Sequence, residues 1–128
     1  MKRSALIRTF AALRFATGAA AWLAPVATGR AMGLNSGRDQ PFTNQLFGSR
    51  ELTLAVASTD AAAPQLQTRA LQLGLLTDVL DVIAAVRGIR AGTLSPTGAV
   101  LGGGGAALFA VLGTSALTMR ESSVRKPA

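Results

Sequence analysis

The stretch Ser95–Met119, SPTGAVLGGGGAALFAVLGTSALTM, decides the fold, because 25 residues pass without a charged side chain before Arg120. A helix needs about 20 predominantly apolar residues to cross the hydrocarbon layer of a membrane, which is about 30 Å thick. The Ser-Pro pair favours a helix start at the first residues of the stretch, and the arginine marks its end. The stretch therefore predicts a membrane-spanning helix.

Three earlier stretches have comparable lengths and few charges. They are residues 9–28, 42–59 and 66–86. The connections between them are short, and short connections make consecutive helices antiparallel neighbours. The predicted fold class is therefore all-α: an integral membrane four-helix up-down-up-down bundle. One domain, residues 1–121, holds spans at about 9–28, 42–59, 66–86 and 95–119, and residues 122–128 form a flexible C-terminal tail.

The composition fits this interpretation. Of the 128 residues, 49% are hydrophobic and 15% are charged, whereas an ordinary soluble domain has about 25% charged residues. The net charge is +7, but the basic residues sit singly between apolar stretches, so we expect membrane lipid and no nucleic acid as partner. The chain has no Cys, His or Tyr, which excludes thiol and imidazole chemistry. We expect no metal and no cofactor.

The N-terminus also has features of a secretory signal peptide, because Lys2 and Arg3 precede an apolar run. The run is long for a signal peptide, contains Arg14, and offers only a poor cleavage site at Pro25–Ala27. We therefore expect an uncleaved first helix.

The orientation follows from the basic residues that flank the spans, since these are enriched on the cytoplasmic side. With the N-terminus inside, the inner flanks hold Lys2, Arg3, Arg8, Arg69, Arg120, Arg125 and Lys126. The outer flanks then hold Arg30, Arg38, Arg87 and Arg90. The sequence thus predicts a multi-pass protein of a bacterial plasma membrane with both termini in the cytoplasm.

Charges inside the spans are the candidate functional residues. A central Arg or Asp in a span costs about 2.5–3.5 kcal/mol, so we expect these side chains to face one another. Arg50 lies at mid-depth and is expected to pair with Asp78 or Asp81, which share one helix face. Glu51 points about 100° away from its neighbour, toward another helix, where Arg14 is the available cation.

The predicted interior set holds two cations and three acids, which leaves one carboxyl over. That surplus acid is either a proton carrier or ligand handle, or part of a network that only locks helix register. Arg14 has an alternative of its own, because its long side chain can reach the inner interface and serve as an anchor.

Glycines in the last span form the second candidate feature. Gly98 and Gly102 are a small-xxx-small pair, and Gly105 and Gly113 extend nearly the same face. No Lys-Ser/Thr follows the glycines, so a phosphate-binding loop is excluded. The face is expected to pack against another helix, with Gly18 as a match in the first span, or against a protein partner.

The chain resembles the small four-helix DoxX-like membrane proteins and related uncharacterised actinobacterial families. The resemblance rests on LFGSREL at 46–52, on DVLD at 78–81 and on the glycine-rich fourth helix. It implies a four-helix integral membrane fold, often with an accessory role beside an oxidoreductase or transport assembly.

Three functions are compatible with these features. The first is an accessory or structural subunit of a larger membrane assembly, with a protein partner or a second copy on the glycine face. The second is a proton-linked carrier, or a lipid- or quinone-binding membrane protein, that uses the Arg/Glu/Asp cluster. The third is an intramembrane enzyme with the same carboxylates as acid and base; we expect no enzymatic activity, because no fuller catalytic set is present. What separates the three is whether the acids line an open pocket or are sealed.

Overall fold

The computed structural model describes residues 2–34 and 37–119, and every regular element within these ranges is helical. The predicted all-α class is confirmed. The helices are α1 (Arg3–Leu23), α2 (Pro25–Ala31), α3 (Gln40–Ser58), α4 (Pro64–Arg90) and α5 (Pro96–Thr118). The predicted tail, 122–128, lies outside the described residues.

The first predicted span is wrong in one respect, because the helix does not continue through residue 28. It ends at Leu23, and α2 runs at 116° to α1. Pro25 explains the break, since its ring clashes with the carbonyl four residues earlier and it has no N–H to donate. Ala24 accordingly leaves the helical region, with φ −132° and ψ 61°.

Proline begins four of the five helices, where its missing N–H has no helical acceptor to lose. The four are Pro25, Pro41, Pro64 and Pro96, each in the first turn. At the start of α5, Ser95 Oγ also accepts a hydrogen bond from the Gly98 N–H at 3.0 Å, which caps the helix.

The four long helices pack as antiparallel neighbours. Trp22 on α1 donates to Ser49 on α3, and Gln67 on α4 donates to the Ser58 carbonyl on α3. Helix α5 packs along α4 and returns to α1, where Arg3 Nε donates to the Ala116 carbonyl at 2.9 Å. We call the end where α1 begins and α5 ends the terminal end, and the opposite end, which carries α2, the link end.

Packing differs along this interior. At the terminal end the described core is a cluster of buried apolar side chains: Leu6, Ile7, Phe10, Leu71 and Ala116. Further along, α1 and α3 approach so closely that a Cβ at position 48 would lie 2.6 Å from the Gly18 carbonyl oxygen. Gly18 therefore meets Gly48 on α3, and the expectation that it matches the α5 glycines is wrong.

Helix α5 is not uniform. It begins as an α-helix at Pro96–Gly98, widens into a π-helical segment at Ala99–Gly103 and continues as an α-helix over Gly104–Thr118. Single π-helical turns inside α-helices occur often at functional sites. Here the segment lies at the link end.

Apolar side chains cover much of the outer surface. Twenty large hydrophobic side chains within residues 2–34 and 37–119 are exposed, among them Leu80 and Val100. By length and composition, Pro96–Thr118 is apolar enough to cross a membrane, and α1 with α2 gives a second such helix if the bent pair counts as one span.

Candidate functional site

Five charged side chains from three helices form one continuous chain, which we call the charge network. In order, its members are Asp78, Arg14, Glu51, Arg50 and Asp81. Acids and cations alternate along it, so each cation lies between two acids. The structure thus brings together all five charged residues that the sequence singled out.

Arg14 holds the buried half of the network. Its Nη1 donates to Glu51 Oε2 at 2.6 Å and its Nη2 donates to Asp78 Oδ2. All three residues are 1% exposed. The alternative in which Arg14 reaches the membrane surface as an anchor is therefore wrong, because its guanidinium is fully enclosed.

Aromatic and backbone groups complete the environment of Arg14. Its Cζ lies 4.8 Å from the ring centroids of both Phe10 and Phe109, a distance at which a ring face attracts a cation. A Cβ at Gly74 would lie 3.2 Å from Arg14 Nη2, so this glycine leaves room for the guanidinium. Sequence reasoning missed these residues, although Phe10 precedes Arg14 by four positions and so shares its helix face.

Arg50 holds the more exposed half. It donates to both oxygens of Asp81, at 2.8 and 3.3 Å, and to Glu51 Oε1 at 3.3 Å. The side chains of Arg50 and Asp81 are 36% and 35% exposed. Of the two partners expected for Arg50, the structure selects Asp81, and Asp78 instead pairs with Arg14.

The pairing leaves one carboxylate oxygen unused. Glu51 accepts hydrogen bonds through both oxygens, and so does Asp81. Asp78 accepts through Oδ2 only, and its Oδ1 receives no hydrogen bond from the described residues. With all five groups ionised, the network carries a net charge of −1, which comes from three acids and two arginines.

A cavity of about 620 Å³ adjoins the network on the side of the link end. Glu51, Asp78 and Asp81 line it, whereas Arg14 and Arg50 do not. The remaining lining is mostly apolar and comes from all four long helices and the link, for example Met32, Phe47, Leu94 and Phe109. Met32 and Leu34 were not foreseen as site residues, because they follow a helix break that hydropathy does not reveal.

The glycine face of α5 is turned inward. Gly98, Gly102 and Gly105 line the cavity, and a Cβ at Gly113 would lie 3.8 Å from the Phe10 ring. Gly98 and Gly113 lie against neighbouring side chains of the same chain, whereas Gly102 and Gly105 border open space. The missing side chains of these glycines are what leaves space for the cavity.

Comparison with known proteins yields no relative: no protein-family model, no curated protein and no solved structure matches the chain. The described residues contain no group of three or more His, Cys, Asp or Glu side chains placed to hold a metal ion. The functional argument therefore rests on the network and the cavity.

Proposed function

We propose that this protein is a multi-pass membrane protein that binds a lipophilic ligand in the cavity between its helices, as a carrier or receptor. The observation that carries the proposal is that Glu51, Asp78 and Asp81 line a cavity with apolar walls. Ligand sites are typically mostly apolar pockets of about 300–1,000 Å³ with a few well-placed polar groups. A network that served only to lock helix register would not need to adjoin such a space.

The distribution of polarity supports the membrane part of the proposal. In water-soluble proteins charged side chains are almost never fully buried unless they are paired. Here Arg14, Glu51 and Asp78 are buried and paired, and many large apolar side chains are exposed instead. In a protein surrounded by lipid, apolar side chains can face outward, and charges within the spans must face one another. Helices α3 and α4 carry four charges of the network, Arg50, Glu51, Asp78 and Asp81, which lowers their apolar character and explains why they differ from α5.

Helix lengths agree with a membrane setting. At 1.5 Å per residue, the 23 residues of Pro96–Thr118 extend about 34 Å, enough for a hydrocarbon layer of about 30 Å. The basic residues Lys2 and Arg8 lie at the terminal end, and Arg30 and Arg90 lie at the link end. We therefore propose that the bundle crosses a bacterial plasma membrane four times.

The proposed orientation, with both termini in the cytoplasm, rests on the sequence count of flanking basic residues. Reporter fusions after each helix test it, and a C-terminal reporter that is active outside the cytoplasm would reverse the assignment.

The accessory-subunit function and the DoxX-like resemblance stay predictions. The glycine face was the surface expected to receive a protein partner, and Gly102 and Gly105 instead line the cavity. A self-contained ligand-binding protein therefore has the stronger support, in line with the proton-linked, lipid- or quinone-binding alternative.

Two adjacent glycines provide a matched test of the ligand site. A Cβ at either Gly104 or Gly105 meets nothing within 4 Å, but only Gly105 lines the cavity. Gly105→Leu therefore places a side chain in the cavity and narrows it, while Gly104→Leu adds the same side chain outside it. The probe is 1-adamantanol, a compact apolar cage with one hydroxyl, titrated calorimetrically into protein in lipid nanodiscs with empty nanodiscs as baseline.

We expect the wild-type protein and Gly104→Leu to bind 1-adamantanol alike, and Gly105→Leu to bind it at least tenfold more weakly. Equal binding by all three proteins would place the probe elsewhere and refute the proposed site. Native mass spectrometry of gently solubilised protein provides a second readout, since a co-purifying small molecule should be lost from Gly105→Leu only.

A further inference from the structure

We infer that the ligand is a lipophilic monocation, a protonated amine on an apolar body, whose ammonium group binds the free oxygen of Asp78. This inference rests on the proposed function and specifies its ligand class. It is carried by three observations: the charge of the network, the side that the network presents to the cavity, and the incomplete pairing of one buried carboxylate.

The first observation is the charge balance. Three carboxylates and two guanidiniums leave a net charge of −1 in a network whose inner half, Arg14, Glu51 and Asp78, is buried. An uncompensated charge in such surroundings is strongly unfavourable. A monocation in the cavity brings the total to zero, a neutral ligand leaves it unchanged, and an anionic ligand would raise it to −2.

The second observation is the orientation of the network. The acids are the only charged residues among the described residues that line the cavity, and both arginines lie behind them. A ligand therefore meets hydrogen-bond acceptors without the guanidinium donors that would attract a carboxylate or phosphate. This arrangement is complementary to a group that donates hydrogen bonds and carries positive charge.

The third observation is the state of Asp78. Its side chain is 2% exposed and pairs with Arg14 through Oδ2, while Oδ1 accepts no hydrogen bond in the part of the chain that the structure describes. This oxygen is not fully enclosed and lacks a hydrogen-bond partner among the described residues, and Asp78 lines the cavity. An ammonium group in the cavity would supply that partner.

The walls decide between an organic and an inorganic cation. Rings of Phe47 and Phe109 and aliphatic side chains such as Leu94 and Leu101 surround the space. A hydrated metal ion gains nothing from such walls, whereas the apolar body of an amine packs against them. The chemistry of the cavity thus fits a cation that is lipophilic elsewhere.

Three probes with the same cage separate charge from shape: 1-adamantanamine, 1-adamantanol and adamantane-1-carboxylate. Titrated into wild-type protein in neutral lipid nanodiscs at pH 7, the amine should bind at least tenfold more tightly than the alcohol. The carboxylate should show no measurable binding. Equal affinity of amine and alcohol, with both lost in Gly105→Leu, would overturn the monocation and leave the proposed function intact.

Asp78→Asn tests the anchoring group. The remaining network then holds two acids and two arginines and is balanced, so the variant is expected to fold. The amine should lose its advantage over the alcohol, while affinity for the alcohol stays within about twofold of wild type. Asp81→Asn removes the same charge from the other end of the network and should reduce amine affinity less; an equal loss in both variants would overturn anchoring by Asp78.

The outcomes separate the two proposals. If none of the probes binds and no probe affinity changes in Gly105→Leu, the proposed function itself fails. If Asp78→Asn does not fold, the comparison of the three probes on wild-type protein still decides whether the ligand is a cation.

Discussion

The two ends of the molecule are built from the same helices but are filled differently. At the terminal end, Phe10 and Leu71 pack into a buried apolar cluster. At the link end, the same helices surround a cavity, because α5 presents Gly98, Gly102 and Gly105 there. Protein interiors are normally close-packed. The contrast shows that one end is filled by an apolar core that supports the fold, while the other end keeps open space, with the charge network between them.

The largest loss of stability is expected from removing Arg14, which lies in the charge network between the two ends. Arg14→Met leaves two buried acids without their main partner, so it should lower the free energy of unfolding by about 3–5 kcal/mol. Denaturation in mixed micelles measures it, with Arg8→Met at an exposed position as control. Adding Asp78→Asn to Arg14→Met should recover part of the loss. A loss of less than about 1 kcal/mol in Arg14→Met would contradict a structural role for the network, because breaking a buried pair is expected to cost well above that.

The same truncation at each end sharpens the contrast. Leu71→Ala removes a fully buried side chain from the terminal cluster and should lower stability by about 2 kcal/mol, the low end for leucine truncations, since lost packing contacts dominate in lipid. Leu94→Ala borders existing space and should cost less than about 1 kcal/mol because fewer contacts are lost. Thermal unfolding of both variants in one detergent compares them. A larger loss for Leu94→Ala would show that the link end supports the fold.

A smaller effect is expected for the outer pair of the network. Arg50 and Asp81 are about one-third exposed, so their coupling should be near 1 kcal/mol, as for partly exposed ion pairs. A double-mutant cycle with Arg50→Leu and Asp81→Asn measures this coupling through unfolding free energies. Full additivity of the two substitutions would contradict the pairing. As a control, the cycle of Arg50→Leu with Asp39→Asn should be additive.

The smallest effect on stability is expected where space already exists. Gly105→Leu and Gly104→Leu both introduce a side chain that meets no neighbour at Cβ, so neither should lower the free energy of unfolding by more than about 0.5 kcal/mol. Only ligand binding should distinguish them. Thermal unfolding without ligand tests this. A marked loss of stability in Gly105→Leu would mean that the cavity is smaller than about 620 Å³.

The sequence predicts the last helix well, since its predicted span of 95–119 corresponds to Pro96–Thr118. There the uncharged stretch, which begins with the Ser-Pro pair, has nearly the same boundaries as the helix. Prediction is poorer for α4, which runs on to Arg90 instead of ending at residue 86, because basic residues end an apolar span without ending a helix. For α1 the reverse holds: apolar residues continue past Leu23, but the proline after them ends the helix.

The candidate site, too, could be predicted only in part. Charge in an apolar segment singles out all five residues of the network, because such residues are rare there. Their pairing depends on how each helix is rotated, and a single sequence contains no measure of that rotation. Asp78 was therefore assigned to Arg50 as readily as Asp81. The cavity is harder still to predict, because its volume arises only when the glycines of α5 meet the side chains of three other helices.

The four consecutive glycines at 102–105 also bear on how the chain is made. Each glycine disfavours a helix in water by about 1 kcal/mol relative to alanine. This part of α5 therefore has little tendency to form a helix before it leaves the aqueous phase. Hydrocarbon reverses that preference, since an unpaired peptide group there costs several kcal/mol. In the proposed membrane setting, the alanine- and leucine-rich half from Ala106 onward is ready to form a helix first. The glycine half, which forms one wall of the cavity, should then become helical only on insertion.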